Sequence, residues 1–383
     1  MATPAHLEPS KLGTKEYWDA LYATELANHA HDPSDTGTAW FDDSDASAKI
    51  LSFLSDGASG LVDVETTSFL DLGTGNGALL FTLRDDGWAG PMLGVDYSPQ
   101  SVRFARRIER ARRKGLASGS GGEESGDGGG DGDGDGGGTE KVGEAEEGVR
   151  NTQEEDDDED EGDEEEEIDV HFAEHDILHN PATALLDARF SPSVVAGWDV
   201  VLDKGTFDAV SLSAETLLLD PAAAAAAATA TANDTISTST TSSAAADTSA
   251  GPRPRRVNEA YGARILPLVR EGGLFLVTSC NWTEAELRSW FEDGAVQEIP
   301  ATATATAITA ASTSTSTSSS SEGGSESQEQ QKKEKKKSFW GFQVVGRVEY
   351  RSFSFGGVKG QTISTLCFRK VRKEGIGRER ESA

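Results

Sequence analysis

"DLGTGNGALL", residues 71–80, follows the apolar pair Phe69 and Leu70, and its reading decides the fold. FLDLG (residues 69–73) reads as a short buried strand and NGALLFTLRDDG as the helix after it, with glycines at the turn between them. Gly73, Gly75 and Ala78 satisfy the general G-x-G-x-x-G/A pattern, in which small residues let a backbone turn tightly against a nucleotide at a helix N-terminus. Alone, that pattern is shared by nicotinamide and flavin proteins.

Working outward, strand-like and helix-like segments alternate. MLGVD (residues 92–96) reads as a strand, and SPQSVRFARRIERARRKG as a helix with Ser98 as N-cap and Pro99 in the first turn. IDVHFAEHD is a third strand and GWDVVLDKG (residues 197–205) a fourth. NEAYGARILPLVREGG reads as a helix closing on glycine, which Pro267 is able to kink or end early. GLFLVTSCN is a fifth strand, followed by TEAELRSWF, a helix in which Thr283 and Glu286 form a capping box. This βα alternation predicts an α/β fold with a doubly wound parallel sheet and ligands at the carboxyl ends of its strands. FWGFQVVGRVEYRSFSFG and GQTISTLCFRK then carry strand signals with no helix between them, so they are expected to pair antiparallel at the sheet edge.

The formal net charge of −31 over 383 residues is concentrated. Residues 117–167 hold 23 acidic side chains against two basic ones, a Gly/Asp/Glu tract too polar to bury a core. Residues 221–251, rich in Ala, Thr and Ser, and residues 301–337, rich in Ser and Thr and ending in Lys, are two further low-complexity insertions. The polyalanine run reads as loop rather than docked helix, because it offers no apolar face beyond methyl groups. Without the three tracts roughly 260 residues remain, enough for one well-buried domain. Each tract falls between predicted elements and is expected to be a disordered loop expansion. Cys280 and Cys367 are expected as buried free thiols of a reducing compartment. No apolar run reaches a membrane span, and the N-terminus lacks a signal-peptide core. The expectation is a soluble cytoplasmic protein, with nuclear presence allowed.

The nucleotide is chosen by charge. A dinucleotide would place a pyrophosphate over the loop, where a carboxylate at Asp71 repels it. S-adenosylmethionine carries a cationic sulfonium and ammonium instead, which a carboxylate at the strand end helps to hold. Asp96, ending the second strand, is placed to accept both ribose hydroxyls of either kind of cofactor. Asp176 in EHDIL is a candidate acceptor for the adenine amino group, with Ile177 packing on the ring; the plainer alternative is that Asp96 and Asp176 cap turns. The expected cofactor residues are Asp71, Gly73, Gly75, Gly77, Asp96, Tyr97, Asp176 and Ile177.

DLGTGNG, GVDYSP, EHDIL and the final hairpin resemble the motifs of the seven-β-strand, Rossmann-like (class I) S-adenosylmethionine-dependent methyltransferases. LGTKEYWDALY with DTGTAWF, together with WDVVLDKGTFDAVSLS, CNWTEAEL and FSFGGVKGQTISTLCF, is more similar to one subgroup. That subgroup is the eukaryotic protein-lysine methyltransferases of translation elongation factor 1-alpha, called efm4 in fungi. The resemblance implies the strand order 3-2-1-4-5-7-6, S-adenosylmethionine as methyl donor and a lysine of elongation factor 1-alpha as acceptor.

Methyl transfer to lysine needs alignment of the partners and a neutral amine. Lysine titrates at about 10.4, so desolvation and aromatic walls favour its reactive form. LDKGTFDAV lacks the prolines of the Asn/Asp-Pro-Pro-Tyr/Phe motif that grips planar nitrogens. Asp203 is the candidate to face the methyl group and orient the amine, or else it caps the helix beginning at Thr206. Lys204, Thr206 and Asp208 would shape the same loop. Trp40 and Phe41 of TGTAWF are candidates to close over the cofactor and line the lysine channel, whereas Trp18 and Tyr22 are read as docking the N-terminal helix. No metal is expected: the spacing of His171, His175 and His179 would put them on one face if their segment were a strand, and strand packing explains that alternation more simply than a metal site.

Two other function classes stay open at this level. One is a methyltransferase of a small metabolite, with the same cofactor motifs; the other is a cofactor-retaining interaction protein without turnover. The acidic tract would attract a basic partner by long-range steering, or serve only as a solvated spacer. Its charge disfavours direct nucleic-acid binding. A monomer without membrane contact is expected.

Overall fold

Strand β1 (Phe69–Leu72), all four residues buried, is the centre of the sheet. It pairs in parallel with β2 (Met92–Asp96) on one side and β4 (Trp198–Lys204) on the other. β3 (His171–Glu174) adds to β2, and β7 (Val269–Ser279) to β4, both in parallel. The protein is described here by a computed structural model over residues 4–57, 60–119, 169–190, 192–218, 254–294, 296–298, 337–355 and 358–375. The described residues outside Arg110–Asp169 belong to one compact unit. Arg110–Asp169 separates as a second, of which only the end of helix α4 and Asp169 are described.

The chain ends as the sequence predicts, with antiparallel strands. β12 (Ser364–Gly375) inserts between β7 and β9 (Lys337–Val348), antiparallel to both. The order β3-β2-β1-β4-β7-β12-β9 is thus the expected 3-2-1-4-5-7-6, and β8 (Val296–Glu298) extends the β9 edge as an eighth strand. Two small ribbons stand apart: β5 (Thr216–Leu218) with β6 (Pro254–Arg256), and β10 (Ser352–Phe355) with β11 (Val358–Gln361).

The two-residue period of the central strands sends alternate side chains to opposite layers. Phe69, Val200, Leu202 and Leu274 face a layer containing Tyr22 of α1 (Lys15–His31), Ile50 of α2 (Ala46–Ser52), Leu80 of α3 (Ala78–Asp85) and Phe104 of α4 (Pro99–Gly119). Leu70, Val201, Phe275 and Val277 face Phe207 of α5 (Thr206–Ser211), Tyr261 of α6 (Asn258–Ile265) and Leu287 of α7 (Glu284–Arg288). No described helix is long and apolar enough to cross a membrane.

Local signals hold in detail. α4 begins at Pro99, and the capping box of Thr283 and Glu286 opens α7. Two expectations are corrected. The predicted helix over residues 258–273 ends at Ile265, passes through a 3-10 turn at Leu266–Leu268, and its remainder opens β7. Pro267 supplies the cause, since it has no N–H to donate and its ring crowds the preceding turn. Cys280 is exposed rather than buried, because β7 stops at Ser279 and leaves it on the loop beyond; Cys367, inside β12, is buried and free as expected. Of the three low-complexity tracts, residues 117–119 complete α4 and Lys337 opens β9; the rest lies outside the described residues.

Candidate active site

The chain runs outward from β1 to β2 and β3, then returns to β4 on the other flank of β1. The carboxyl ends of β1 and β4 therefore form the switch point at which such sheets bind ligands. A cleft of about 390 Å³ opens there, in the size range of a small-molecule site.

Its floor begins with the glycine loop. Gly73, Gly75 and Gly77 have φ of 63°, 61° and 80°, the left-handed region that suits glycine. Space matters as well: a Cβ on Gly75 would lie 2.6 Å from the Tyr22 hydroxyl. Asp96, at the end of β2, accepts Gly75 N–H (3.2 Å) and Ser98 N–H (2.9 Å), one on each oxygen, and lines the cleft. Burial raises its pKa against the pull of those donors. Asp71 is buried one residue before the end of β1, and desolvation lifts it to about 6 although the charge of Lys204 opposes the rise.

Beyond β3, Asp176, Ile177 and His179 form one wall. Asp176 accepts the Leu178 and His179 N–H groups at 2.9 and 3.2 Å, so it caps its own turn as well as lining the cleft. His179 bridges walls: Nδ1 meets Asp176 at 2.8 Å and Nε2 meets Glu215 at 2.7 Å. The hydrogen bond with Asp176, reinforced by both carboxylates, raises its pKa to about 9 and keeps it protonated at neutral pH.

The opposite wall comes from the end of β4 and from α5. Thr206 Oγ1 donates to the Leu72 carbonyl (2.6 Å), joining α5 to the end of β1. Asp208 accepts Cys280 N–H at 2.8 Å and the Ser279 hydroxyl, fixing the loop after β7 beside it. The aromatic rim is N-terminal. Trp18 lies 5.3 Å from Trp40 and 6.2 Å from Tyr22 between ring centroids, and Phe41 completes the group. Trp18 Nε1 donates to the Leu12 carbonyl at 2.8 Å, and Lys15 Nζ stands 5.7 Å from the Tyr97 ring.

Sequence comparison assigns this architecture. A family model described as a methyltransferase domain matches residues 63–119, which hold the glycine loop, Asp96 and α4. The chain is 31% identical over 290 residues to the protein-lysine N-methyltransferase EFM4 of Saccharomyces cerevisiae, covering 75% of this chain and 83% of that one. It belongs to the EFM4 family of protein-lysine N-methyltransferases. The efm4 protein of Schizosaccharomyces pombe is 29% identical, covering 74% of this chain and 82% of that one. The human EEF1A lysine methyltransferase 2 is 24% identical, with 76% and 79% covered.

Within this EFM4-family chain, the sequence candidates Gly73, Asp96, Tyr97, Asp176, Ile177 and Trp40 all line the cleft. Asp71, Gly75 and Gly77 belong to the strand and loop beneath it and are not among the residues that line it. Asp203, the candidate to face the methyl group, is likewise not among the residues that line the cleft. Its carboxylate is fully engaged away from the cleft, accepting Thr206 N–H (2.8 Å), Phe207 N–H (3.1 and 3.2 Å) and the Tyr261 hydroxyl (2.7 Å). The helix-capping alternative describes it, and burial pushes its pKa up to about 7 despite these donors.

Other contributors were not marked as site residues by the sequence. Trp18 and Tyr22 line the cleft while also docking α1. Lys15 and Leu12 gave no separate signal beyond the quoted LGTKEYW. Cys280 and Asn281 follow a parallel strand at its carboxyl end, which was the available clue. Glu215 lies 36 residues from its partner His179, beyond any local pattern.

Proposed function

We propose that this chain transfers a methyl group from S-adenosylmethionine to a lysine side chain of translation elongation factor 1-alpha. The observation that carries the reading is the cleft itself: a glycine loop backed by the buried carboxylates Asp71 and Asp96 and walled by aromatic rings, in an EFM4-family chain. Two buried carboxylates suit a cationic cofactor and oppose a pyrophosphate. Asp96 gives one backbone contact per oxygen and retains lone pairs for a ribose diol. Asp176 and Ile177 are assigned to the adenine, and Trp18, Tyr22, Trp40 and Phe41 to the methyl and lysine end.

When bound, the cofactor supplies a methyl group activated on sulfur: the amine lone pair forms the new C–N bond as the S–CH3 bond breaks, and the amine proton leaves to solvent. The protein's share is placement and desolvation. Aromatic walls remove water from the ammonium and lower the cost of its deprotonation. Asp203 acts from behind, holding α5 and Tyr261 where Thr206 and Asp208 shape the wall. The proposed setting is the cytoplasm.

The experiment incubates the full chain with labelled S-adenosylmethionine and a lysate of cells lacking it, then locates the label by mass spectrometry. One labelled lysine on elongation factor 1-alpha is expected. Label confined to small molecules would overturn the acceptor while leaving the cofactor in place.

A further inference from the structure

Residues 32–45 run from the end of α1 to the start of α2 as a strap, and side chains from four other parts of the fold hold its main chain, one of them Lys49 of α2, which donates to the Ser44 carbonyl at the strap's end. From α1, His29 Nδ1 meets the Asp35 carbonyl at 2.8 Å, and Glu25 accepts Thr38 N–H at 3.0 Å. From the glycine loop, Asn76 Nδ2 donates to the Thr36 carbonyl at 2.8 Å. From the end of β4, Lys204 Nζ donates to the Trp40 carbonyl at 3.0 Å. Those from His29, Glu25 and Asn76 hold the approach of the strap; Lys204 holds the tip, where Trp40 and Phe41 enter the cleft.

That tip is costly to keep. Phe41 adopts φ of 64°, a left-handed conformation that a bulky residue holds only when its surroundings impose it. Its ring covers Gly205, where a Cβ would come within 3.0 Å of Cε2, and lies 6.0 Å from Lys204 Nζ. Lys204 is also costly: it is half-buried, and desolvation draws its pKa down against the charges of Asp71, Asp203 and Asp42. A methionine would fill similar space without a charge. The amine is nevertheless present, and its Nζ donates to the strap's main chain.

We infer that Lys204 is a positioning residue for the acceptor: by fixing the Trp40 carbonyl to the end of β4, it sets the aromatic tip of the strap across the cleft and shapes the channel that admits the substrate lysine. This rests on the function proposed above. The strap tip is thereby referenced to the switch point of the sheet instead of floating on its own loop. The effect should fall on the protein acceptor: Lys204 touches none of the proposed cofactor contacts Asp96, Asp176 and Ile177, and its charge on Asp71 is kept out of the comparison by measuring affinity at pH 8, above the Asp71 pKa of about 6.

The test compares wild type, Lys204→Met, Trp40→Leu and the double variant as full-length chains. Methyl transfer to unmethylated elongation factor 1-alpha is measured together with S-adenosylhomocysteine affinity and amide hydrogen exchange of residues 36–42. Lys204→Met is expected to lower kcat/KM for the protein by roughly 10- to 100-fold. Its S-adenosylhomocysteine affinity should stay within about threefold of wild type, and exchange in the strap should rise. Because Lys204 acts through Trp40, the double variant should lose little beyond Trp40→Leu alone. Wild-type turnover, unchanged exchange, or losses that multiply would overturn the assignment. Lys204→Leu, which also lacks a donor, carries the same comparison should the methionine variant not fold. If wild type itself transfers nothing to the elongation factor, the function reading fails, and the exchange measurement still decides the latch.

Discussion

At the scale of single residues, two buried carboxylates make opposite demands on the cleft. Asp96 is tied to the loop by two backbone N–H groups yet lines the cleft, so in the proposed complex its loss would also remove its hydrogen bonds to the ribose. Charge-assisted bonds of this kind contribute about 1.5–3 kcal/mol each, so Asp96→Ala should weaken S-adenosylmethionine binding by roughly 100-fold in calorimetry while the protein stays folded. An unchanged affinity would remove Asp96 from the cofactor site. Asp71 works through its field. Its folded pKa of about 6 lies above the ordinary carboxylate value, so ionising it costs folding free energy as pH rises from the unfolded value through 6. A cationic ligand recovers that cost. Cofactor affinity should therefore increase between pH 5 and pH 7, and Asp71→Asn should flatten the profile; a wild-type profile already flat would show that Asp71 does not sense the ligand.

At the scale of elements, the junction of β4 with α5 shows where a sequence reading and a folded structure part. LDKGTFDAV marked the right loop, since the end of a parallel strand at the switch point is where chemistry collects. It did not say which carboxylate faces the cleft, because that depends on Tyr261, 58 residues away, whose hydroxyl takes an Asp203 oxygen. The glycine loop was legible for the opposite reason: its glycines, its strand and its helix are contiguous, and each local preference agrees with the fold. Pro267 stopped its helix by a mechanism visible in the sequence, whereas the shift of residues 269–273 into β7 required the neighbouring Trp198 to pair with. The aromatic rim was half legible, with Trp40 and Phe41 marked and Trp18 and Tyr22 assigned to packing alone. Since Asp203 satisfies two helix N–H groups and a buried hydroxyl, Asp203→Ala leaves three donors unpaired, at about 1–3 kcal/mol each. Even at the low end of that cost, about 3 kcal/mol in all, thermal melting should show Tm lower by roughly 6–12 °C, with activity falling alongside. Lost activity at an unchanged Tm would instead return Asp203 to the reaction itself.

At the scale of the molecule, the question is whether the acidic tract is part of the machine. The described strands, helices and cleft-lining residues form one main sheet between two helical layers, with the cleft at its switch point. Closing a loop depends only weakly on its length, each doubling costing about 0.6 kcal/mol, so the length of the chain between α4 and β3 by itself changes stability little. Its charge is another matter: an anionic tract attracts cations over about 8 Å at physiological ionic strength, which accelerates encounter with a basic protein and fades with salt. The two roles separate in one experiment. With residues 121–167 replaced by a short Gly/Ser linker, Tm and S-adenosylhomocysteine affinity should match the full chain, because no described contact of the site is removed. We expect kcat/KM for the elongation factor to match as well at low and at physiological salt, the behaviour of a solvated spacer. A loss seen only at low salt would make the tract a steering device. A loss of cofactor affinity would overturn the reading of the tract as a loop expansion that the methyltransferase domain does not need.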